Sequence, residues 1–519
     1  MKAIFLYHFF FLSMISGLMA QYQNILISEQ NLPNEPAIMF NPLNPSEMVI
    51  GANIANLCRS TDGGMTWTAG IITSSYGIWG DPCIVADRNG IFYYFHINNN
   101  QTGTISDQII CHRSFDGGLT WDNGFPFGKN GEKFQEKIWA VSDPETHYLY
   151  AAWTQDDVFG SATPGDSSNI MFSRSTDQGQ TWSIPVRINR VAGHCILDGY
   201  GVNGSMPFIG PDGRLMVIWS GPEGIMFTKS EDKGISWPAE NIKVADLPAG
   251  WGCLIPGIYR APGFAVASSE KSIGPYRGNI YLCWCDQRNG PDDADIWFCR
   301  SSDGGSTWSA PLRVNDDSPG RQQFFSWLTV DQVTGYIYIV FYDRRNYSDL
   351  NTDVFLAFSK DGGQTFRNVK ISESPFIPDA AIFFGDYSNI MAHNNIVRPV
   401  WTRMDGGKLS LWTAKVDSID LAIPPQDSLL APFALRQNYP NPSDDYTNFA
   451  YSVRHTSDIT LKIFDYTGRE IAVVFENKLH QPGQYIERFP IDTRILPPGF
   501  YYYSLKMKHY SVIKKMIID

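Results

Sequence analysis

One eight-residue pattern, Ser-x-Asp-x-Gly-x-Thr/Ser-Trp/Phe, recurs six times along this 519-residue chain and restricts its fold more than any other feature. The copies run Ser60–Trp67, Ser114–Trp121, Ser175–Trp182, Ser230–Trp237, Ser301–Trp308 and Ser359–Phe366. Their aspartates, Asp62, Asp116, Asp177, Asp232, Asp303 and Asp361, stand 54, 61, 55, 71 and 58 residues apart. That interval suits one four-stranded antiparallel unit with its loops per repeat. Within the pattern, Asp and Ser side chains can close a tight turn on nearby backbone, and the Gly two residues after the Asp supplies a positive φ. The final Trp or Phe then packs inward. Turn stapling is the expected role of the six aspartates, with ligand or metal binding as the alternative.

Alternating strands surround each copy, such as Leu215–Trp219 and Tyr336–Phe341 before it and Pro185–Asn189 or Val369–Ser372 after it. Beyond the sixth copy, Gly385–Met391, Val397–Trp401 and Lys408–Lys415 read as three more strands that need a fourth. Asn24–Glu29 resembles the outer strands and is expected to complete that sheet, closing a ring without exposed edges. The reading is an all-β chain: a seven-bladed β-propeller over residues 21–416, with six blades as the alternative, followed by a small immunoglobulin-like β-sandwich.

The repeated pattern resembles the Asp box, or BNR repeat, of the sialidase and neuraminidase-like β-propeller superfamily, and the resemblance covers about Gln23–Val416. It implies a propeller and leaves activity open, since that superfamily holds glycosidases, receptors and assembly factors. A sialidase uses three arginines around the substrate carboxylate, a tyrosine nucleophile assisted by a glutamate, and an aspartate as acid/base. Tyr387, in Asp386-Tyr-Ser-Asn-Ile390, is similar to the nucleophile segment, and Arg288, Arg345 and Arg398 would supply guanidinium groups. The family's early Arg-Ile-Pro is replaced here by Asn34-Glu-Pro-Ala37, which puts a glutamate where a substrate carboxylate would bind. Sialidases are also six-bladed, so sialic acid is not the expected substrate.

Chemistry is expected at the end of the channel opposite the repeated turns. Loops leading into three inner strands carry Glu35, Asp81 and Asp386, expected either as catalytic carboxylates for a neutral glycan or as backbone caps and Arg partners. Asp286-Gln-Arg288 and Asp343-Arg-Arg345 could form charge-assisted pairs that fix their loops or present a guanidinium to a ligand. The acids near them, Asp292, Asp293, Asp295, Asp349 and Asp353, could bind calcium, although without EF-hand spacing. No cofactor is expected otherwise. Trp79, Trp251, Tyr259, Phe324, Phe325 and Phe384 could stack on sugar rings or pack the loops. Two functions are carried forward: a sialidase-like glycoside hydrolase acting on neutral glycan, and a non-catalytic binding or adhesion module for glycan or protein.

The ends of the chain bear on its destination. Lys2, the apolar run Ile4–Leu18 and the small residues Ser16, Gly17 and Ala20 mark residues 1–20 as a signal peptide. No later stretch is long and apolar enough to span a bilayer. A formal charge of −12 argues against a nucleic-acid partner. Eight cysteines in an exported chain could pair. A hairpin between Tyr281–Asp286 and Trp297–Arg300 would set Cys283 opposite Cys299, as a bond or as buried thiols, while Cys283 and Cys285 lack a second pair at zinc spacing. Residues 417–432, with Pro424, Pro425 and Pro432, read as a linker. In residues 433–519, the order of Asn438-Tyr-Pro-Asn-Pro442, Asp465-Tyr-Thr-Gly-Arg469 and Pro497-Pro-Gly-Phe-Tyr-Tyr-Tyr503 resembles the type A C-terminal sorting domain of the Bacteroidetes type IX secretion system. It implies passage through the periplasm and across the outer membrane by that machinery, to the surface or the medium.

Overall fold

The computed structural model describes residues 22–99, 106–248, 250–417, 433–435, 437–453, 456–465, 468–507 and 510–519. The expected signal peptide, residues 1–20, and nearly all of the expected linker, residues 418–432, lie outside the described residues. Among the described residues, no helix is long and apolar enough to cross a membrane. The chain divides into two compact units at residue 418.

The first unit is a β-propeller. Its described residues form seven antiparallel sheets, each built on a four-strand path. The inner strands, in chain order, are Asn34–Asn41, Gly80–Ala86, Phe134–Ser142, Asn203–Ile209, Val266–Ser269, Gln323–Val330 and Asn389–His393. Each contacts the next, and the seventh contacts the first, so they line a closed ring. The outer strand of the seventh sheet is Asn24–Ser28, which pairs antiparallel with Lys408–Ala414. The closing seam is packed: Ile27, Val400 and Leu411 of the seventh sheet meet Ile38, Met48 and Ile50 of the first.

Sheets stacked face to face bury both sides of their middle strands. The second strands Phe92–Ile97, Leu215–Gly221 and Ile337–Asp343 are buried at every position. Trp153, Trp219, Trp284 and Trp401, all on second strands, are among the largest fully buried side chains. Each such burial contributes on the order of 1.5–3 kcal/mol.

All six repeated turns have one hydrogen-bond pattern. In the fifth, Ser301 Oγ donates to Asp303 Oδ1 at 2.8 Å and accepts from Gly305 N at 2.9 Å. Thr307 gives its N–H to Asp303 Oδ1 at 2.9 Å and its hydroxyl to Oδ2 at 2.6 Å. The hydroxyl and N–H of Thr307, with Ser301, hold the Asp303 carboxyl at about 2. Gly305 has φ 83°, and a Cβ there would lie 2.4 Å from the Phe227 ring of the preceding sheet. Both oxygens of each aspartate are thus engaged inside the turn, which corrects the alternative of a ligand role for Asp62, Asp116, Asp177, Asp232, Asp303 and Asp361.

Ile280–Asp286 and Asp295–Ser301 pair so that Leu282 faces Cys299 and Cys283 faces Phe298. This is one residue away from the expected register, and a one-residue step turns a side chain to the other face of the sheet. Cys283 and Cys299 therefore do not bridge; all eight cysteines are buried free thiols.

The second unit is a β-sandwich. Phe433–Leu435, Tyr446–Val453 and Gly483–Pro490 make one sheet; Glu470–His480, Ser457–Asp465, Gly499–Met507 and Tyr510–Ile518 make the other. Phe449, Tyr451 and Val453 from the first sheet share a core with Leu461, Ile463, Tyr503 and Leu505 from the second.

Candidate functional site

The site begins with a backbone irregularity. In five of the seven inner strands, two residues oppose one on the neighbouring strand, at Glu35–Pro36, Asp81–Pro82, Lys137–Ile138, Gly204–Ser205 and Phe325–Ser326. The first residue of each bulge has a positive φ: 51° at Glu35, 54° at Asp81, 51° at Lys137, 69° at Gly204 and 52° at Phe325. Bulges of this kind redirect a side chain, and a non-glycine residue held at positive φ costs on the order of 1–3 kcal/mol. In the first three sheets that position carries a charged residue.

The three charges meet. The Lys137 ammonium lies 3.1 Å from Glu35 Oε1, 2.8 Å from Asp81 Oδ1 and 2.7 Å from Asp386 Oδ2. Lys137 N donates to Asp81 Oδ2 at 2.9 Å, and Asp386 N donates to Glu35 Oε1 at 3.1 Å. Asn53 bridges two sheets, donating to Glu35 Oε2 at 2.5 Å and accepting from Asp81 N at 2.9 Å. Gly80 makes room for it: a Cβ at that residue would sit 2.6 Å from Asn53 Oδ1. Arg260 reaches in from the segment between the fourth and fifth sheets, its Nε 2.9 Å from Asp386 Oδ1 and its Nη2 also on Asp386. Beside Lys137, Glu136 accepts a hydrogen bond from Asn203 at 2.5 Å. Glu136 makes no ion pair among the described residues.

Burial sets the protonation pattern. It pushes Glu35 up to about 8 against the pull of Lys137, with Asp386 and Asp81 adding to the rise. Burial also lifts Glu136 to about 6, moderated by Lys137. Asp386 is as deeply buried, yet its contacts with Lys137 and Arg260 hold it below the usual carboxylate range. Burial opposes the charge on Lys137, but Asp386, Asp81 and Glu35 together hold its ammonium well above the ordinary lysine value.

Over this floor opens a cleft with two lobes of 520 and 740 Å³, both lined by Glu136, Lys137 and Arg260. The first lobe adds Asn203, Trp251, Tyr259, Phe264 and Asp386; the second adds Glu35, Asn53, Trp79, Asp81, Phe134 and Phe383. Trp79 and Tyr259 are exposed, and Tyr259 meets the Phe383 ring edge-on at 6.3 Å. Trp251 is buried, with its Nε1 donating to Gly201 O at 2.8 Å.

Several sequence expectations are corrected here. Tyr387 lines neither lobe; it is buried against Trp139 and Trp327, and its hydroxyl donates to Pro82 O at 3.4 Å. Burial, with Glu35 and Asp81 nearby, holds its proton well above the usual tyrosine value. The three guanidinium groups are also elsewhere. Arg288 pairs with Asp286 and covers Trp297; Arg345 pairs with Asp343 and Asp316; Arg398 pairs with Asp417 and donates to Gly63 O in the first repeated turn. Phe324, Phe325 and Phe384 are buried around Tyr342 and form loop core rather than a sugar platform. Of the acids considered for calcium, Asp295 accepts from Arg313 and Asn315, and Asp353 from Lys370 and Ser372. Among the described residues, no group of three or more His, Cys, Asp or Glu is arranged to hold a metal ion.

Lys137, Glu136, Arg260 and Asn53 were not singled out from the sequence. Glu35 and Asp81 stand out because each precedes a proline, whereas Lys137 is followed by Ile138. Aligning the inner strands on their bulges, so that Glu35, Asp81, Lys137, Gly204 and Phe325 fall in one column, would have found it.

Residues 437–519 match the family model described as the secretion system C-terminal sorting domain. The tail is a sorting domain of the type IX secretion system. A sorting domain of this kind marks the chain as a secreted protein of the cell surface or the extracellular medium. No curated protein matches the chain in sequence. Solved structures similar to it include a Hadza microbial sialidase, at 15% identity over 71% of this chain and 73% of that one, with a TM-score of 0.41. An α-L-arabinofuranosidase of Fusarium graminearum is 14% identical over 68% of this chain and 99% of its own, with a TM-score of 0.42. A polysaccharide lyase acting on ulvan is 12% identical over 78% and 98%, with a TM-score of 0.45.

Proposed function

We propose that the exported propeller is a glycan-active protein that takes a neutral sugar chain across the two lobes and cleaves it, with Glu136 as the acid. The observation that supports this most directly is the position of Glu136, which lines both lobes, is free of an ion pair among the described residues and is lifted by burial to about 6. A carboxyl with that affinity can hold a proton near neutral pH and give it to a leaving oxygen. Glycoside cleavage also asks for a second carboxylate across the scissile bond, and Asp81, on the floor of the second lobe, takes that role. Glu35 and Asp386 act through Lys137, as positioning residues. Trp79 and Tyr259 supply exposed rings on which sugars can stack. A substrate carboxylate finds no free guanidinium here, because Arg260 is already committed to Asp386.

A second reading, binding without cleavage, is favoured by one observation: Lys137 contacts Glu35, Asp81 and Asp386 at once, which ties up three of the four carboxylates. A panel of neutral polysaccharides, assayed in parallel for binding and for new reducing ends, separates the two. Cleavage that disappears in Glu136→Gln while binding persists supports the hydrolase. Binding without new reducing ends across the panel supports the module.

A further inference from the structure

The segment that supplies Trp251, Tyr259 and Arg260 to the first lobe is an arm between the fourth and fifth sheets. It contains a two-stranded ribbon, Gly252–Cys253 paired with Ala261–Pro262. The arm lies directly on the second strand of the fifth sheet. Leu254 N donates to Gln287 Oε1 at 2.7 Å, and a side chain at Gly263 would collide with the Cys285 carbonyl, its Cβ only 1.9 Å from that oxygen. Between these two anchors, Cys253 Sγ on the arm lies 3.5 Å from Cys285 Sγ on the strand. Both thiols are buried. Cys285 Sγ also contacts Gln323 O, on the inner strand of the sixth sheet, at 3.2 Å.

We propose that Cys253 and Cys285 form a disulfide during export, stapling the cleft arm to the fifth sheet. The sorting domain provides the setting, since its route crosses the periplasm, where disulfides form and persist. Only a short closing movement separates the two sulfurs from bonding distance, and the backbones are already held side by side. The step is a thiol–disulfide exchange. The Cys253 thiolate, having lost its proton to solvent, attacks one sulfur of an oxidant disulfide and expels a thiolate. The Cys285 thiolate then attacks the mixed disulfide, forming the Cys253–Cys285 bond and expelling the second thiolate. Two protons and two electrons leave the protein, and the oxidant is reduced to two thiols. Both sulfurs are buried once the arm is seated, so the exchange precedes docking and the bond is protected afterwards.

The test uses the full chain recovered after export and purified without reductant. Denatured and treated with N-ethylmaleimide, it is expected to label six of its eight cysteines, and peptide mapping is expected to join Cys253 to Cys285. Prior reduction is expected to restore labelling of all eight. Eight labelled cysteines without reduction, or a bridge between any other pair, overturns the proposal. The stapling role has its own readout in limited proteolysis at the exposed Leu254 and Tyr259. Cleavage there is expected to quicken at least tenfold after reduction of the wild type and in Cys253→Ser, and reductant is expected to have no further effect on the variant. An unchanged rate in wild-type protein whose labelling shows that all eight thiols have been freed overturns it. The labelling experiment on the wild type decides the bond even if the variant fails to fold.

Discussion

The Lys137 ammonium lies 2.7 Å from Asp386 Oδ2, and this contact ties the third sheet of the propeller to the seventh across the channel. Through Glu35 and Asp81 the same ammonium also holds the first and second sheets. One buried cation thus joins four sheets at the floor of the cleft.

Lys137→Met is expected to destabilise the protein by about 3–5 kcal/mol, because it leaves buried carboxylates facing one another with Arg260 serving Asp386 alone. A denaturant titration measures this. A midpoint equal to that of the wild type would show that the cluster contributes nothing.

Ser114→Ala removes a buried hydroxyl that accepts from Gly118 N at 2.8 Å and donates to Asp116 at 2.9 Å. The orphaned N–H is expected to cost about 1–3 kcal/mol, read as a drop in Tm. Phe115→Ala, at the exposed neighbouring position, is the control and should leave Tm nearly unchanged.

Cleavage should depend on pH through Glu136. An acid must enter the reaction protonated, and Glu136 holds its proton up to about 6. The rate is therefore expected to fall as pH rises through that value, and the falling limb should vanish with the activity in Glu136→Gln. A profile rising through the same range would assign the proton transfer to another group.

His96 and His112 stack in the second sheet with their rings 5.1 Å apart. Burial, aided by His112, pushes His96 down to about 3, and burial lowers His112 too. Both are neutral in the folded chain, whereas an unfolded histidine takes up a proton below about 6.5. The unfolded state then binds more protons, so stability from this pair is present above that pH and lost as pH falls from there toward 3. Melting curves from pH 7.5 to 5 should show Tm falling, with a shallower decline in His96→Leu/His112→Phe.

The propeller was legible because its turns repeat: Ser, Asp and Gly recur at fixed offsets, each with a local role in a six-fold hydrogen-bond pattern. The two carboxylates beside prolines were legible for a related reason, since a short local motif marked them. Lys137 carried no such mark. Its importance comes from an αL bulge that brings it to groups 56 and 102 residues away, a matter of closure geometry rather than of neighbouring sequence. The arginines were misplaced on the same account. Arg288 and Arg345 sit two residues from the aspartates that hold them, and local pairing prevailed over the distant cleft. Cys283 and Cys299 show how fine the margin is, since a single step in hairpin register exchanges one face for the other.

Asn24–Ser28 lies beside Lys408–Ala414, so the first strand of the propeller has no sheet partner until a strand from the far end of the ring is in place. Until that pairing is made, both strands are open edges with unpaired backbone. Closing the seam is therefore what removes the propeller's last free edges.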